Sequence, residues 1–285
     1  MRPRAARALI AAITVSAVIL GVAACASDVR EAPPAAPSAP MPPTPSASAS
    51  PEPAAEPKPS PSAPSPASEP PAPSPSVSQA STFDSGRYSI DDPASPWVVS
   101  NKLRPLVPTG YVPADLVPAN VPYISNPYLR PAAASALAEM FAAAAAEGAG
   151  AMQIQNAYRS YETQVSVYGG WVSRVGQDTA DAQSARPGHS EHQTGFALDI
   201  TALPERCSIE QCFGDTAQGL WLAENAWRFG FVLRYPAGKT PVTGFIYEPW
   251  HFRYVGRELS GEMRVRGTVT LEEFFELPAA PDYSG

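Results

Sequence analysis

Two short segments of the chain hold its His residues together with carboxylates, and their spacing suggests metal chemistry. The first segment contains His192 and ends at Asp199, and the second has His251 three residues after Glu248. Two imidazoles and one carboxylate, with a fourth position left open, are a common ligand set of catalytic zinc. A further carboxylate beside the metal suits a general base that accepts a proton from water. These residues therefore predict metal-assisted hydrolysis.

The pattern around Asp199 favours a site, although an ordinary surface pair with His192 is the alternative for this segment alone. After Gly195, which permits a turn, the period of two along a strand separates a face of small and polar residues from an apolar face. The two faces are Ala197, Asp199 and Thr201, and Phe196, Leu198 and Ile200. A lone carboxylate among small residues is unlike a plain core strand, so we expect Asp199 to face His192.

The second segment is weaker by itself, because Glu-x-x-His is frequently accidental. Pro249 lies between Glu248 and His251 and cannot donate a hydrogen bond to a neighbouring strand. We therefore expect the strand to be interrupted there, so that Glu248 turns toward the same cavity as His251. Trp250 separates the base from the ligand, and this position favours a role in the pocket wall over one in the core.

The helices that must position these residues are predicted from periodicity and from their terminal residues. Pro131 precedes apolar residues at three- and four-residue spacing, and Glu147-Gly148 follows them, as in a helix with Pro in its first turn. Ser160 is predicted to cap a second helix, and a third is expected from Gly219 to a stop at Gly230. One face of the second helix would carry Tyr161, Val165, Tyr168 and Val172.

Short strands complete the predicted fold. They are expected at residues 152–158, 196–201, 231–235 and 245–254. Runs of this kind with short connections favour an α+β fold, with a central, largely antiparallel sheet flanked by helices, over a doubly wound α/β fold.

The two segments together resemble the paired signature of a known family. They are Ser190-x-His192-x-x-Gly195-x-Ala197-x-Asp199 and Glu248-x-x-His251. This pair is similar to the signature of the VanY-type D-alanyl-D-alanine carboxypeptidases, which belong with the VanX-type dipeptidases and the Hedgehog-like zinc fold. The similarity extends over roughly Trp97 to Gly256, through Asn101–Leu106, Arg159-Ser160-Tyr161-x-x-Gln164, Ser184–Gly188 and Ala226-x-x-Phe229-Gly230-Phe231.

The resemblance implies a zinc peptidase that removes the terminal D-alanine of peptidoglycan stem peptides. Carried over to this sequence, its Zn²⁺ ligands are His192, Asp199 and His251. Glu248 then activates the water. Arg159 matches the family arginine that faces the scissile carbonyl, where a guanidinium helps to neutralise the growing oxyanion.

Other polar residues of the signature have less defined roles. Gln164 and Ser190 match positions that hold the substrate in some members, so we assign them to substrate binding. His189 is interpreted as a structural or rim residue, because three ligands and a base are already supplied. A serine mechanism is disfavoured, since the chain has no Gly-x-Ser-x-Gly motif.

The N-terminal region predicts export and a lipid anchor. Arginines among the first seven residues precede an uncharged run, Ala8–Ala24, which is the layout of a signal peptide and too short to favour a membrane helix. Val22-Ala23-Ala24-Cys25 resembles the lipobox of bacterial lipoproteins. We therefore predict a signal peptide at 1–24 and a diacylated Cys25; the alternative is a soluble secreted protein cleaved at a small-residue site.

Composition divides the remainder into two parts. Residues 25–82 are dominated by Pro, Ala and Ser and cannot bury enough apolar surface to order themselves, so we predict a disordered tether. Residues 83–285 have the mixed composition of one globular domain.

The chain has 20 basic and 27 acidic residues and a net charge of −7, which disfavours nucleic acid as a partner. We expect a monomer on the outer face of the cytoplasmic membrane that reaches into the wall.

Cys207 and Cys212 remain as a pair after Cys25 is acylated. In an oxidising compartment they are predicted to form a disulfide, and a metal site is the weaker alternative because no His lies near them in sequence.

Two alternatives to the main function stay open. The same catalytic residues would serve an L,D-carboxypeptidase or a wall endopeptidase, and the fold could also be a non-catalytic peptidoglycan-binding domain.

Overall fold

The computed structural model describes residues 83–283. The predicted signal peptide, the predicted lipidation site Cys25 and the whole of the predicted tether lie outside this range. Within residues 83–283, no helix has both the length and the apolar character that crossing a bilayer requires.

Within residues 83–283, six short strands form two antiparallel sheets. Their bounds are β1 (Val117–Pro118), β2 (Tyr128–Leu129), β3 (Ala151–Asn156), β4 (Ala197–Leu203), β5 (Phe231–Leu233) and β6 (His251–Tyr254). Strands β1 and β2 pair with each other, and the central sheet has the order β3-β4-β6-β5. Every pairing is antiparallel, as the sequence predicted.

Helices cover the sheet and extend beyond it. They are α1 (Pro131–Ala146), α2 (Tyr161–Val175), α3 (Gln177–Gln183), α4 (Ala217–Asn225), α5 (Thr240–Thr243), α6 (Arg257–Arg266) and α7 (Leu271–Phe274), with 3₁₀ turns at Glu191–Thr194, Gln211–Asp215 and Ala226–Phe229. Pro131 begins α1 as predicted. Ser160 caps α2 by accepting a hydrogen bond from the backbone N–H of Thr163 at 3.2 Å.

The main core lies between α1, α4 and the apolar face of the sheet. The predicted apolar residues of β4, Leu198 and Ile200, are fully buried there, together with Leu137 and Met140 of α1. Fully burying such a side chain stabilises the fold by about 1.5–3 kcal/mol relative to leaving it exposed. Because β4 is fixed through this face, its alternate residues are held on the opposite face.

Three elements differ from the sequence prediction. The predicted face of α2 is not a core face: Val165 is 47% exposed, and Gln164 is the buried residue of this helix. Tyr168 instead donates a hydrogen bond to Asp181 of α3 at 2.7 Å, because α2 packs on polar α3. The strand predicted at 245–254 begins only at His251. The helix predicted from Gly219 to Gly230 is divided into α4 and a 3₁₀ turn.

Candidate active site

The sheet register brings two of the predicted ligands together. Asp199 of β4 lies directly opposite His251 of β6 in the antiparallel pairing. His192 lies in the 3₁₀ turn before β4, and Gly195 returns the chain into the strand with φ +73°. A Cβ at this position would lie 2.8 Å from Leu116 Cδ2. Gly195 therefore supplies a backbone conformation and a close approach that other residues resist.

The three predicted ligands face one another in a buried cluster. Asp199 Oδ2 lies 3.4 Å from His192 Nε2, and Asp199 Oδ1 lies 3.3 Å from His251 Nδ1. The imidazole rings are perpendicular, with their centroids 4.9 Å apart. Among residues 83–283, the buried Asp199 Oδ1 has no partner in hydrogen-bonding geometry. A carboxylate whose two oxygens each face an imidazole nitrogen, one of them without a hydrogen bond, fits a bound cation, and this donor set suits zinc.

The remote nitrogens of both imidazoles are held by the protein. His192 Nδ1 donates to the carbonyl oxygen of Ala157 at 2.7 Å, which leaves Nε2 as the free acceptor toward the cavity. His251 Nε2 lies 3.4 Å from Glu191 Oε2, which leaves Nδ1 free on the side of Asp199. The hydrogen-bond network thus gives opposite tautomers to the two rings, and each directs a lone pair into the cluster.

Burial and neighbouring charges set the protonation of the cluster. Burial acts to raise the pKa of Asp199, but His192 and His251 outweigh it and hold that pKa well below its usual range. Burial acts to lower the pKa of His251, but the adjacent carboxylates of Asp199 and Glu191 raise it to about 9. Without a metal, the cluster therefore favours a proton on His251, which a bound cation would replace.

Glu248 lies beside the predicted ligands in the turn that precedes β6. Its backbone N–H donates to the carbonyl oxygen of Tyr235 at 3.0 Å, and its own carbonyl accepts from the N–H of His251 at 3.1 Å. The carboxylate oxygen Oε2 lies 3.9 Å from His251 Nδ1. Burial raises the pKa of Glu248 to about 8. A cation held by the neighbouring ligands would favour the ionised form, which can accept a proton.

Arg159 reaches the same cavity from the segment after β3. Its backbone N–H donates to the carbonyl oxygen of His192 at 3.2 Å, and its side-chain Nε is buried with no hydrogen-bond partner in the described part of the chain. Burial lowers the pKa of Arg159, while Asp199 and Glu248 oppose that change. The guanidinium stays charged and has an unused donor near the ligand cluster.

These groups line a cavity of about 330 Å³. Apolar side chains form part of its wall, among them Val167, Trp171, Phe245 and Ile246. An apolar lining with a few converging polar groups is the usual composition of a small-molecule site.

The remaining predicted residues take different positions around this cavity. Ser190 and Trp250 line the wall, and Trp250 also belongs to the main core. Gln164 lies behind the wall, where its Nε2 donates to Ser184 Oγ at 3.2 Å and to the carbonyl oxygen of Ala185 at 2.6 Å. Gln164 therefore supports two lining residues and is not itself on the cavity surface.

His189 lies outside the cavity. Its Nδ1 donates to the carbonyl oxygen of Asn101 at 2.8 Å, and its ring packs edge-on against Tyr283.

Cys207 and Cys212 are joined in a disulfide. The loop that they close carries Ile209 and its neighbours, which form part of the cavity wall.

Sequence reasoning missed Glu191, which lies between the signature residues Ser190 and His192. Its side chain is fully buried and forms ion pairs with Arg234 and Arg253. The sequence signal that could have revealed Glu191 is the pair Arg234 and Arg253, which lie in or beside short apolar strands. Arginines buried in such strands need carboxylate partners, and Glu191 is the acidic residue inside the ligand motif to which the signature gives no role.

Two imidazoles and a carboxylate around a candidate metal position, with a second carboxylate beside them, define a class of metallohydrolases. Residues 126–257 match the VanY family, described as D-alanyl-D-alanine carboxypeptidase. The chain is 39% identical over 196 residues to YodJ of Bacillus subtilis (strain 168), a protein assigned as a carboxypeptidase, and the alignment covers 67% of this chain and 71% of YodJ. The chain belongs to the VanY family of zinc-dependent carboxypeptidases.

Solved structures agree with this assignment. The LdcB LD-carboxypeptidase is 39% identical, with a TM-score of 0.60 over 65% of this chain and 87% of the LdcB chain. A mutant of the vancomycin-resistance D,D-pentapeptidase VanY from the VanB-type cassette, in complex with Zn(II), is 31% identical, with a TM-score of 0.53 over 64% of this chain and 99% of that chain. The predicted α+β zinc-peptidase fold is confirmed.

Proposed function

We propose that this protein is a zinc-dependent D-alanyl-D-alanine carboxypeptidase that removes the terminal D-alanine of peptidoglycan stem peptides. The observation that carries the proposal is the buried, unpartnered Oδ1 of Asp199, which lies 3.3 Å from His251 Nδ1, with Glu248 adjacent. His192, Asp199 and His251 would hold the ion. The family and the Zn(II) complex of a relative support zinc as that ion.

The protein groups around the ion have separate tasks. When bound, zinc polarises the scissile carbonyl and acidifies water in the open coordination position. Glu248 accepts the proton of the attacking water, and it can return that proton to the amine that leaves with the terminal residue. Arg159 offsets the negative charge that develops on the carbonyl oxygen, an effect typically worth about 2.7–4 kcal/mol per donor. This reaction needs no covalent intermediate.

Ser190 and Trp250 line the cavity, and we propose that they contact the substrate. Gln164 contributes indirectly, because it holds Ser184 and Ala185 in the cavity wall. A non-catalytic wall-binding role has less support, since the ligand set, the neighbouring Glu248 and the charged Arg159 converge on one cavity.

A second candidate keeps the same site and reaction but changes the bond. The similarity to the LdcB LD-carboxypeptidase at 39% identity favours an L,D activity, in which the residue before the terminal D-alanine has the L configuration. The catalytic groups act on the scissile carbonyl in both cases. The choice between the two bonds therefore depends on the wall that receives the preceding residue.

Release of D-alanine from defined stem peptides tests the proposal. We expect the zinc-loaded protein to release D-alanine from a pentapeptide ending in D-Ala-D-Ala faster than from the tetrapeptide with one D-alanine. A chelator should abolish release, and added Zn²⁺ should restore it. Faster cleavage of the tetrapeptide would establish the L,D alternative. Release from neither peptide by zinc-loaded protein would refute both.

The lipobox supports a membrane-anchored location. We propose that Cys25 carries the lipid and that residues 25–82 tether the catalytic domain within the wall. Cys25→Ala is expected to move the protein from the membrane to the soluble exported fraction, because acyl chains are the anchor. Fractionation and immunoblotting measure this shift, with Ser27→Ala as the matched control. Membrane retention of the Cys25→Ala protein would exclude the lipoprotein interpretation.

A further inference from the structure

Glu191 is a buried carboxylate directly behind the ligand cluster. Its side chain is fully inaccessible. Oxygen Oε1 accepts from Arg234 Nε at 2.8 Å and from Arg253 Nη1 at 3.0 Å. Oxygen Oε2 lies 3.4 Å from His251 Nε2. One oxygen is thus committed to the arginines, and the other faces the imidazole of His251.

The arginines fix Glu191 from two directions. Arg234 also donates two hydrogen bonds to Glu272, at 2.6 and 2.9 Å, and Glu272 in turn accepts from Asn101 at 3.0 Å. This side of the network connects Glu191 to α7. Every charged member is buried, so the geometry has little freedom to relax.

The second arginine is held by backbone. Arg253 Nη2 donates to the carbonyl oxygens of Pro96 and Val98, each at 3.0 Å. Arg253 lies in β6, two residues after His251. The strand that presents His251 therefore also presents a cation that holds Glu191 in place.

We propose that Glu191 is a positioning residue for the metal site. Its Oε2 accepts from His251 Nε2–H and thereby fixes the tautomer and the ring rotation that direct the Nδ1 lone pair toward Asp199 and His192. This inference rests on the proposed function, because it takes His251 as a ligand. Glu191 acts only through His251 and does not contact the reacting atoms.

The competing explanation is that Glu191 only neutralises Arg234 and Arg253. The chain offers a matched control, since Glu272 is equally buried and receives two hydrogen bonds from Arg234 but forms no hydrogen bond or ion pair with His251. Its substitution leaves Arg253 bound to Glu191. A purely structural role predicts the same metal affinity for Glu191→Gln and Glu272→Gln. A positioning role predicts that only Glu191→Gln changes the affinity.

The experiment measures Zn²⁺ affinity by competition with a chromophoric chelator, on the folded fraction of each full-length variant. We expect Glu191→Gln to weaken zinc binding by about 10- to 100-fold, the usual effect of removing an outer partner of a metal-binding His. Glu272→Gln should retain the parental affinity even where its melting temperature falls. Equal affinities in the two variants would overturn the proposal.

A measurement on the unmodified protein covers the case in which Glu191→Gln does not fold. In ¹⁵N-His NMR of the zinc-loaded protein, His251 should show a protonated, slowly exchanging Nε2–H and a metal-shifted Nδ1. Coordination through Nε2 would contradict the proposal. Zinc retention by His251→Ala would refute the ligand set itself, whereas loss there with parental affinity in Glu191→Gln would refute only the role of Glu191.

Discussion

Glu248→Gln is expected to retain zinc at the parental level and to lower the release of D-alanine by about 100- to 10,000-fold, the range typical of lost general acid–base catalysis. Gln keeps nearly the same volume and can still fill the turn before β6, but it cannot accept the proton of water. Glu248 Oε2 lies 3.9 Å from His251 Nδ1, so it is close to the ligands without being part of the facing triad. The substitution therefore separates chemistry from metal binding.

The measurement combines metal analysis with turnover on the same preparations. Glu205→Gln makes the same chemical change at an exposed position outside the cavity, and it should match the parent in both readouts. Substrate binding to Glu248→Gln should survive, because the ligands and Arg159 are intact. Parental turnover in Glu248→Gln would remove it as the base, and loss of zinc would make it a ligand.

Local signals in the sequence were sufficient for much of the scaffold. Pro131 and Ser160 begin α1 and α2 as their chemistry predicts, since both effects act within one helical turn. The alternation in β4 correctly separated Leu198 and Ile200 from the face of Asp199. These inferences succeeded because each depends on residues that are neighbours along the chain.

Features that depend on long-range contacts were not accessible in this way. Asp199 and His251 are neighbours only because β4 pairs with β6 in one register, and periodicity does not define a strand's partner. The prediction of His192, Asp199 and His251 as ligands rests on the resemblance of the motifs to a known family. The apolar side chains of α2 formed a helical pattern, but their burial depended on the packing partner, which proved to be polar α3.

The role of Glu191 in the candidate site also depends on contacts that are distant in sequence. Its acidic side chain within a polar motif gave no sign of burial, because the arginines that stabilise it lie 43 and 62 residues away along the chain. A buried carboxylate is tolerated only where such partners converge. The network that holds His251 is therefore a property of the folded sheet, and no local pattern encodes it.

His251→Ala is expected to weaken zinc binding by more than about 100-fold and to abolish hydrolysis with it. Removing an outer partner of a metal ligand already costs about 10- to 100-fold in affinity, and this substitution removes the ligand itself. The remaining pair, His192 and Asp199, keeps a 3.4 Å contact but lacks the third protein donor that a catalytic zinc site would need. His192→Ala and Asp199→Ala should lose zinc in the same way.

His189→Ala is the matched control for this set, because it removes an imidazole three residues from His192 that lies outside the cavity. It should lose the hydrogen bond to Asn101 and some stability while keeping zinc and turnover. Zinc content by mass spectrometry and D-alanine release then distinguish a metal ligand from a general base. A ligand variant loses both metal and activity, whereas Glu248→Gln loses activity alone. Full zinc with activity in His251→Ala would contradict the assignment of His251 as a ligand.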